Sequence, residues 1–136
     1  MREILFRGKR IDNGEWVEGC LLKVSLNGKT AHLIFGDNFI FINNDVKALS
    51  HALIDPTTVG QYTGLKDKNG KRIFEGDVVR FGNRIGYVTY GDGCFCIHYA
   101  KSINCPAIDI VMCEFDVEVI GNIHDNPELL NGGDAG

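Results

Sequence analysis

The sequence predicts an all-β fold made of two related small β-units, each an SH3-like or barrel-like meander. Seventeen of the 136 residues are glycine and only three are proline, which indicates many turns joining short strands. Segments with helical periodicity are few, and runs of β-branched and aromatic residues lie between the glycines. Glycine-punctuated features recur in the same order in the two halves of the chain, which predicts an internal duplication.

The clearest meander lies in the second half, where residues 61–81 read QYTGLKDKNGKRIFEGDVVRF. Asn69-Gly70 is typical of a two-residue hairpin turn, because a type I′ turn needs positive φ at both central positions. Gly64, Gly70 and Gly76 are predicted to serve turns rather than a phosphate-binding loop. Neither a G-x-x-x-x-G-K-[ST] nor a strand–G-x-G-x-x-G–helix pattern is present, and no helix follows that could hold a phosphate.

The first half repeats this order of features. Residues 6–23 read FRGKRIDNGEWVEGCLLK and parallel residues 62–80, which read YTGLKDKNGKRIFEGDVVR. When residues 33–42 are aligned with residues 88–97, Gly36-Asp37 matches Gly91-Asp92. The pattern predicts a duplication with a period of about 56 residues, although glycine-rich hairpins also resemble one another for turn reasons alone.

These features divide the chain into a first β-unit at 1–43, a linker at 44–57, a second β-unit at 58–121 and a short helical turn with a flexible tail at 122–136. The linker is predicted to form a short helix capped by Asn44 or Asp45, with an extended chain as the alternative. Alternation of acidic and apolar residues over 114–119 predicts a half-buried strand. Asn126 followed by Pro127 predicts the start of the final helical turn.

Charge is unevenly distributed along the chain, whose net charge is −4. Residues 1–90 carry 13 Lys and Arg against 10 Asp and Glu, whereas residues 91–136 carry Lys101 against eight acids. The acidic end disfavours a general polyanion binder. It leaves one local basic patch, formed by Lys66, Lys68, Lys71, Arg72, Arg80 and Arg84.

The start of the sequence indicates a cytoplasmic protein. Only three apolar residues separate Glu3 from Arg7, too few for a secretory leader, and no apolar run approaches the length of a membrane span. We therefore expect localisation in the cytoplasm, where the five cysteines would stay reduced.

The residue pattern favours neither a metal site nor a catalytic constellation, and an enzyme or metal-dependent protein that uses Cys94, Cys96 or His98 is kept as a third hypothesis. Cys94, Cys96 and His98 share one face of a strand, and Cys105, Cys113 and His124 follow. Residues two apart lie roughly 6.6 Å apart along a strand, which is awkward for a shared metal ion, and no C-x-x-C pattern is present. We interpret the cysteines as buried thiols.

The acid pairs also have structural interpretations. Glu75 with Asp77 flanks a turn glycine, where aspartate usually accepts bonds from backbone amides. Glu114 with Asp116 is interpreted as part of a solvated strand face. We expect neither an enzyme nor a cofactor.

Three blocks carry a family resemblance. FRGKRIDNGEWVEG, DPTTVGQYTGLKDKNGKRIFEGDVV and EVIGNIHDNPELL resemble the YopX family, in the family's order and over nearly the whole chain. The resemblance implies a mainly β protein of a phage or of a prophage in a bacterial genome. It implies no established activity, and it carries no catalytic or ligand residue over to this chain.

The function expected is a non-enzymatic protein-binding or self-assembling β-module in the host cytoplasm. Its partner would be a second copy, because small β-domains have edges that need covering, or a host or phage protein. The predicted binding residues are Gln61, Tyr62, Lys66, Lys68, Lys71 and Arg72. The alternative is nucleic-acid binding through the basic hairpin region at 66–84; no membrane is expected as a partner.

Overall fold

The computed structural model describes residues 3–35, 39–42, 45–48, 51–91, 93–99, 108–109 and 116–132. Within these ranges the chain is almost entirely β-strand, which confirms the predicted all-β class. The chain divides into two compact units, Met1–Gln61 and Tyr62–Gly136. None of the described helices is long and apolar enough to span a membrane.

The first unit is an antiparallel sheet with the strand order β6-β3-β2-β1-β7. Its strands are β1 (Phe6–Lys9), β2 (Trp16–Leu26), β3 (Lys29–Phe35), β4 (Phe39–Ile42), β5 (Asp45–Ala48), β6 (His51–Ile54) and the beginning of β7 (Gly60–Lys66). Strands β4 and β5 pair with each other. Ile34 and Ile54 form the buried centre, with Val17, Leu21 and Val59 packed around them.

The second unit contains a five-stranded antiparallel sheet with the order β12-β11-β10-β9-β13. Its elements after β7 are β8 (Arg72–Phe74), β9 (Asp77–Phe81), β10 (Arg84–Gly91), β11 (Cys94–Tyr99), β12 (Ile108–Asp109), β13 (Val117–Asn122) and the helix α1 (Glu128–Gly132). Strand β8 pairs with β7 as a hairpin. The core of this unit consists of Ile73, Val79, Val88, Ile97, Tyr99 and Val117.

The hairpin at Asn69-Gly70 forms, but the predicted two-residue type I′ turn is wrong. Gly70 has φ +82° while Asn69 is not among the described residues with positive φ. The loop is longer, because the Asp67 N–H donates to Lys71 O at 2.8 Å and the Gly70 N–H donates to Asp67 O at 2.9 Å. Asn27-Gly28 instead adopts positive φ at both residues and joins β2 to β3 as a two-residue turn.

The two halves share a hairpin, but glycines that are aligned between them differ in backbone conformation. Gly64 has φ +89°, whereas its aligned partner Gly8 lies in the extended strand β1. Gly76 has φ +93° and turns the chain between β8 and β9, whereas Gly19 lies inside β2. Gly36, Asp37 and Asp92 lie outside the described residues. The internal duplication therefore stays a prediction.

The helix predicted in the linker is wrong. The described part of residues 44–57 is extended in β5 and β6, and only Pro56–Thr58 form a 3-10 turn. Pairing with β3, which places Leu53 beside Leu33, outweighs the weak helical pattern. The extended alternative is the one observed.

The C-terminal predictions hold in part. Strand β13 begins at Val117, which is fully buried, while Glu114 and Phe115 lie outside the described residues. The helical turn after Pro127 is present as α1. The Asn126 side-chain Oδ1 accepts from the Asn122 N–H at 3.2 Å, so this side chain points back toward β13. The predicted flexible tail falls largely on residues 133–136, outside the described residues.

Candidate functional site

The basic hairpin, residues 66–72 at the ends of β7 and β8, brings four predicted binding residues together. Lys66 and Arg72 are cross-strand partners, and Lys68 and Lys71 lie in the loop between them. All four side chains are exposed. Like charges directly opposite each other destabilise a strand pair, so this arrangement favours an anionic group on the hairpin.

A buried carboxylate anchors the hairpin. Asp67 is only 6% exposed. Its Oδ1 accepts from the backbone N–H groups of Asn69 and Lys71, both at 2.9 Å, and its Oδ2 accepts from the Val119 N–H at 2.9 Å. One side chain thus closes the loop and fixes it to β13, which lies 52 residues further along the chain.

The same contacts determine the ionisation of Asp67. Burial raises the pKa of this carboxyl, but the three backbone hydrogen bonds together lower it by more, so the pKa lies below its ordinary value. The carboxylate is therefore the form that holds the loop. The Lys68 N–H adds a second tie to β13 by donating to Val117 O at 2.9 Å.

The other two predicted binding residues are placed differently. Tyr62 is buried, with its ring centroid 5.5 Å from that of Phe74. The Arg72 guanidinium carbon lies 5.8 Å from the Tyr62 ring centroid, so Tyr62 supports an exposed arginine. Gln61 belongs to the first unit, where it is half-buried and pairs with Phe6.

A charged groove opens beside the hairpin within the second unit. It has a volume of about 420 Å³ and is lined by Lys68, Arg80, Phe81, Gly82, Asp116 and Glu118. Glu118 Oε2 lies 3.8 Å from Lys68 Nζ, and Glu118 Oε1 lies 3.3 Å from Arg80 Nη1. The two cationic side chains are 50% and 51% exposed, so each can exchange Glu118 for another carboxylate.

Sequence reasoning missed this groove. Arg80 and Glu118 are cross-strand partners in the pairing of β9 with β13, 38 residues apart in the chain. The alternation of acidic and apolar residues at 114–119 was the one signal that pointed to the groove, but it does not give the register of β13 against β9. Exposed ion pairs of this kind contribute about 0–1 kcal/mol each, so they constrain the groove weakly.

The turn aspartate behaves as predicted. Asp77 is 1% exposed, and its Oδ2 accepts from the Phe74 N–H at 2.7 Å across the β8–β9 turn. Asp116 is exposed, and Glu114 lies outside the described residues. Among the described residues, no group of three or more His, Cys, Asp or Glu side chains could hold a metal ion.

The prediction that the cysteines are buried is wrong for those described. Cys20 is exposed, and Cys94 and Cys96 are half-buried. The Sγ atoms of Cys94 and Cys96 lie 3.9 Å apart, closer than the strand repeat suggested. The His98 ring lies tilted against that of Tyr87, with the ring centroids 5.4 Å apart. Cys105 and Cys113 lie outside the described residues, and His124 is half-buried after β13.

Comparison with known proteins finds a matching family and a similar solved structure. The model of the YopX protein family matches residues 5–131. A crystal structure described as protein EF1440 from Enterococcus faecalis is similar with a TM-score of 0.63 and 26% identity. The similarity covers 96% of this chain and 99% of that one. None of the curated proteins matches this chain.

Proposed function

The chain belongs to the YopX family, and from that premise we propose that it is a non-enzymatic binding module of phage or prophage origin. It acts in the host cytoplasm and binds an acidic segment of a protein partner. The partner is a host or phage protein or a second copy of this chain. The basic hairpin and the adjoining groove form the binding surface.

The observation that supports this proposal most strongly is the anchoring of the basic hairpin. Three backbone hydrogen bonds to the buried Asp67 hold the loop that carries Lys68 and Lys71. A surface held in its bound conformation loses less entropy when a partner binds. The exposed cations therefore stand on a pre-organised backbone, as a recognition surface requires.

The groove supports a carboxylate-bearing partner. Lys68 and Arg80 already contact the Glu118 carboxylate, and both have about half of their side chains exposed. An incoming carboxylate can take the place of Glu118 on either cation without an uncompensated charge being buried. Phe81 at the groove wall adds an apolar surface for a neighbouring side chain of the partner.

Two matched variants of a tagged protein test this proposal. Lys66→Ala/Lys71→Ala removes two exposed charges from the basic hairpin, and Lys23→Ala/Lys29→Ala removes two exposed charges from the first unit. Each tagged protein captures partners from nuclease-treated host lysate, followed by mass spectrometry. We expect the wild type and the first-unit variant to retain the same discrete protein and the hairpin variant to lose it.

The outcomes separate the alternatives. Equal capture by all three proteins would contradict the proposal, and so would capture of nothing by a wild-type protein that is also monomeric in solution. Thermal unfolding of both variants checks that the fold survives, and we expect it to be nearly unchanged because all four side chains are exposed. Tyr62 is left intact because it is buried.

Nucleic-acid binding is the second candidate, favoured by the exposure of all six cations of the predicted patch. These are Lys66, Lys68, Lys71, Arg72, Arg80 and Arg84. Glu118 contacts two of them, and the second unit carries 7 Lys and Arg against 11 Asp and Glu, so protein binding is preferred. Capture that disappears with nuclease, and oligonucleotide affinity that falls steeply with salt, would reverse this preference.

A further inference from the structure

The Cys94 and Cys96 side chains leave the same face of β11 near its start. Ile97 and Tyr99, on the alternate face of the strand, are buried in the core, so the two thiols point away from it. Both cysteines are half-buried rather than enclosed. The pair is therefore accessible from solvent while still held by a paired strand.

The spacing of the two sulfurs matches that of two ligands on one metal ion. Their separation is 3.9 Å. With metal–sulfur bonds of about 2.3 Å, two sulfurs on one ion lie between about 3.8 Å apart for a tetrahedral angle and about 4.6 Å for a linear one. The observed separation is close to the tetrahedral value, and a linear two-coordinate ion needs the sulfurs about 0.7 Å further apart, which rotation about the side-chain bonds can supply. A disulfide is less favoured, because Cα atoms two apart on an extended strand are roughly 6.6 Å apart, near the upper limit for such a bond.

Among the described residues, the position beside the sulfurs is open. Gly91 is the cross-strand partner of Cys94, and a Cβ placed on Gly91 would meet none of the described residues within 4 Å. The Gly91 carbonyl also accepts from both thiols, at 3.7 Å from Cys94 Sγ and 3.9 Å from Cys96 Sγ. Both sulfurs thus lie around the same carbonyl oxygen.

We propose that the thiolates of Cys94 and Cys96 together bind one soft monovalent cation, Cu(I). Thiolates are soft ligands that select Cu(I) and Zn²⁺, and two sulfurs are enough for Cu(I). Four-coordinate Zn²⁺ would need two further ligands, which this pair of sulfurs does not itself supply. Binding converts two thiols to thiolates and releases two protons; the copper stays Cu(I), so no oxidant or reductant is consumed.

Anaerobic titration of the reduced full chain with Cu(I), against a chromophoric Cu(I) chelator, tests the site. We expect one tightly held Cu(I) per chain. Cys94→Ser and Cys96→Ser should each weaken it by about tenfold or more, since each removes one of the two ligands. Cys20→Ser is the matched control, because Cys20 is exposed in the other unit, and it should bind as the wild type does. Cu(I) binding as tight as that of the wild type in both Cys94→Ser and Cys96→Ser would overturn the proposal.

A second measurement needs no variant and covers the case in which a serine variant misfolds. The wild-type chain is alkylated with iodoacetamide with and without bound Cu(I), and the modified peptides are mapped by mass spectrometry. We expect Cu(I) to protect Cys94 and Cys96 and to leave Cys20 reactive. Unchanged alkylation of Cys94 and Cys96, or protection confined to other cysteines, would overturn the site.

Discussion

Replacing Asp67 by asparagine should destabilise the second unit far more than a change of one surface charge. The asparagine side chain has one acceptor oxygen, whereas the carboxylate has two. Asp67 uses both oxygens to accept hydrogen bonds from three backbone N–H groups. If the amide oxygen serves Asn69 and Lys71, the amide NH₂ faces the Val119 N–H. An unsatisfied buried donor costs about 1–3 kcal/mol, and the other two bonds lose their charge assistance. We expect a total loss of about 2–4 kcal/mol in the free energy of unfolding.

Urea unfolding followed by circular dichroism measures this loss, and amide exchange of Val119 reports whether it is local to the hairpin anchor. Asp116→Asn is the matched control, since it removes one negative charge from the same region at an exposed position. A difference between the two variants below about 0.5 kcal/mol at pH 7, the size of an ordinary surface change, would refute the role assigned to Asp67.

The pH dependence gives an independent check on the same carboxylate. The pKa of Asp67 is lowered in the folded protein, so its stabilisation is fully present above the unfolded value, about 3.9, and is lost as pH falls through the folded value. The stability difference between wild type and Asp67→Asn should therefore shrink as the pH falls below about 4. A difference that stays constant down to pH 3 would contradict the mechanism.

Three further predictions concern other positions. Gly70→Ala should cost only about 1–2 kcal/mol, because its φ of +82° is strained for alanine but the space is open. Gly86→Ala should cost more, because its Cβ would lie 2.5 Å from the His98 carbonyl oxygen; urea unfolding compares the two. Ile97→Ala should lose about 2–5 kcal/mol of stability, because Ile97 is fully buried, and a loss below about 1 kcal/mol in the same assay would contradict its core position. In the native metal-free protein Cys20 should react with iodoacetamide before Cys94 and Cys96, because it is exposed whereas they are half-buried; peptide mapping over time checks the order.

Local sequence signals predicted the strands and turns better than they predicted the long-range contacts between them. Several glycines, Gly70 and Gly76 among them, mark turns, and the hairpin carrying Lys66 and Arg72 lies where Asn69-Gly70 indicated. The turn type was wrong because Asp67 accepts from the loop amides and from Val119, 52 residues away. The linker helix was wrong for the same physical reason, since pairing of Leu53 with Leu33 outweighs local propensity.

The candidate site shows the same division between local and long-range information. Exposure of the hairpin cations follows from their position at a turn. The burial of Tyr62 against Phe74 depends on cross-strand packing, and the contact of Arg80 with Glu118 depends on the register of β9 and β13. Neither is encoded within one short segment.

The pairing of β9 with β13 also has a consequence for the protein during its synthesis. Strand β9 is complete when Phe81 has been added, but its partner ends at Asn122, 41 residues later in the chain. At about 5–20 residues per second, the ribosome needs roughly 2–8 s to supply that partner. During this interval one edge of β9 is open to pairing with a neighbouring nascent chain, so the yield of folded protein should depend on how fast this stretch of message is translated.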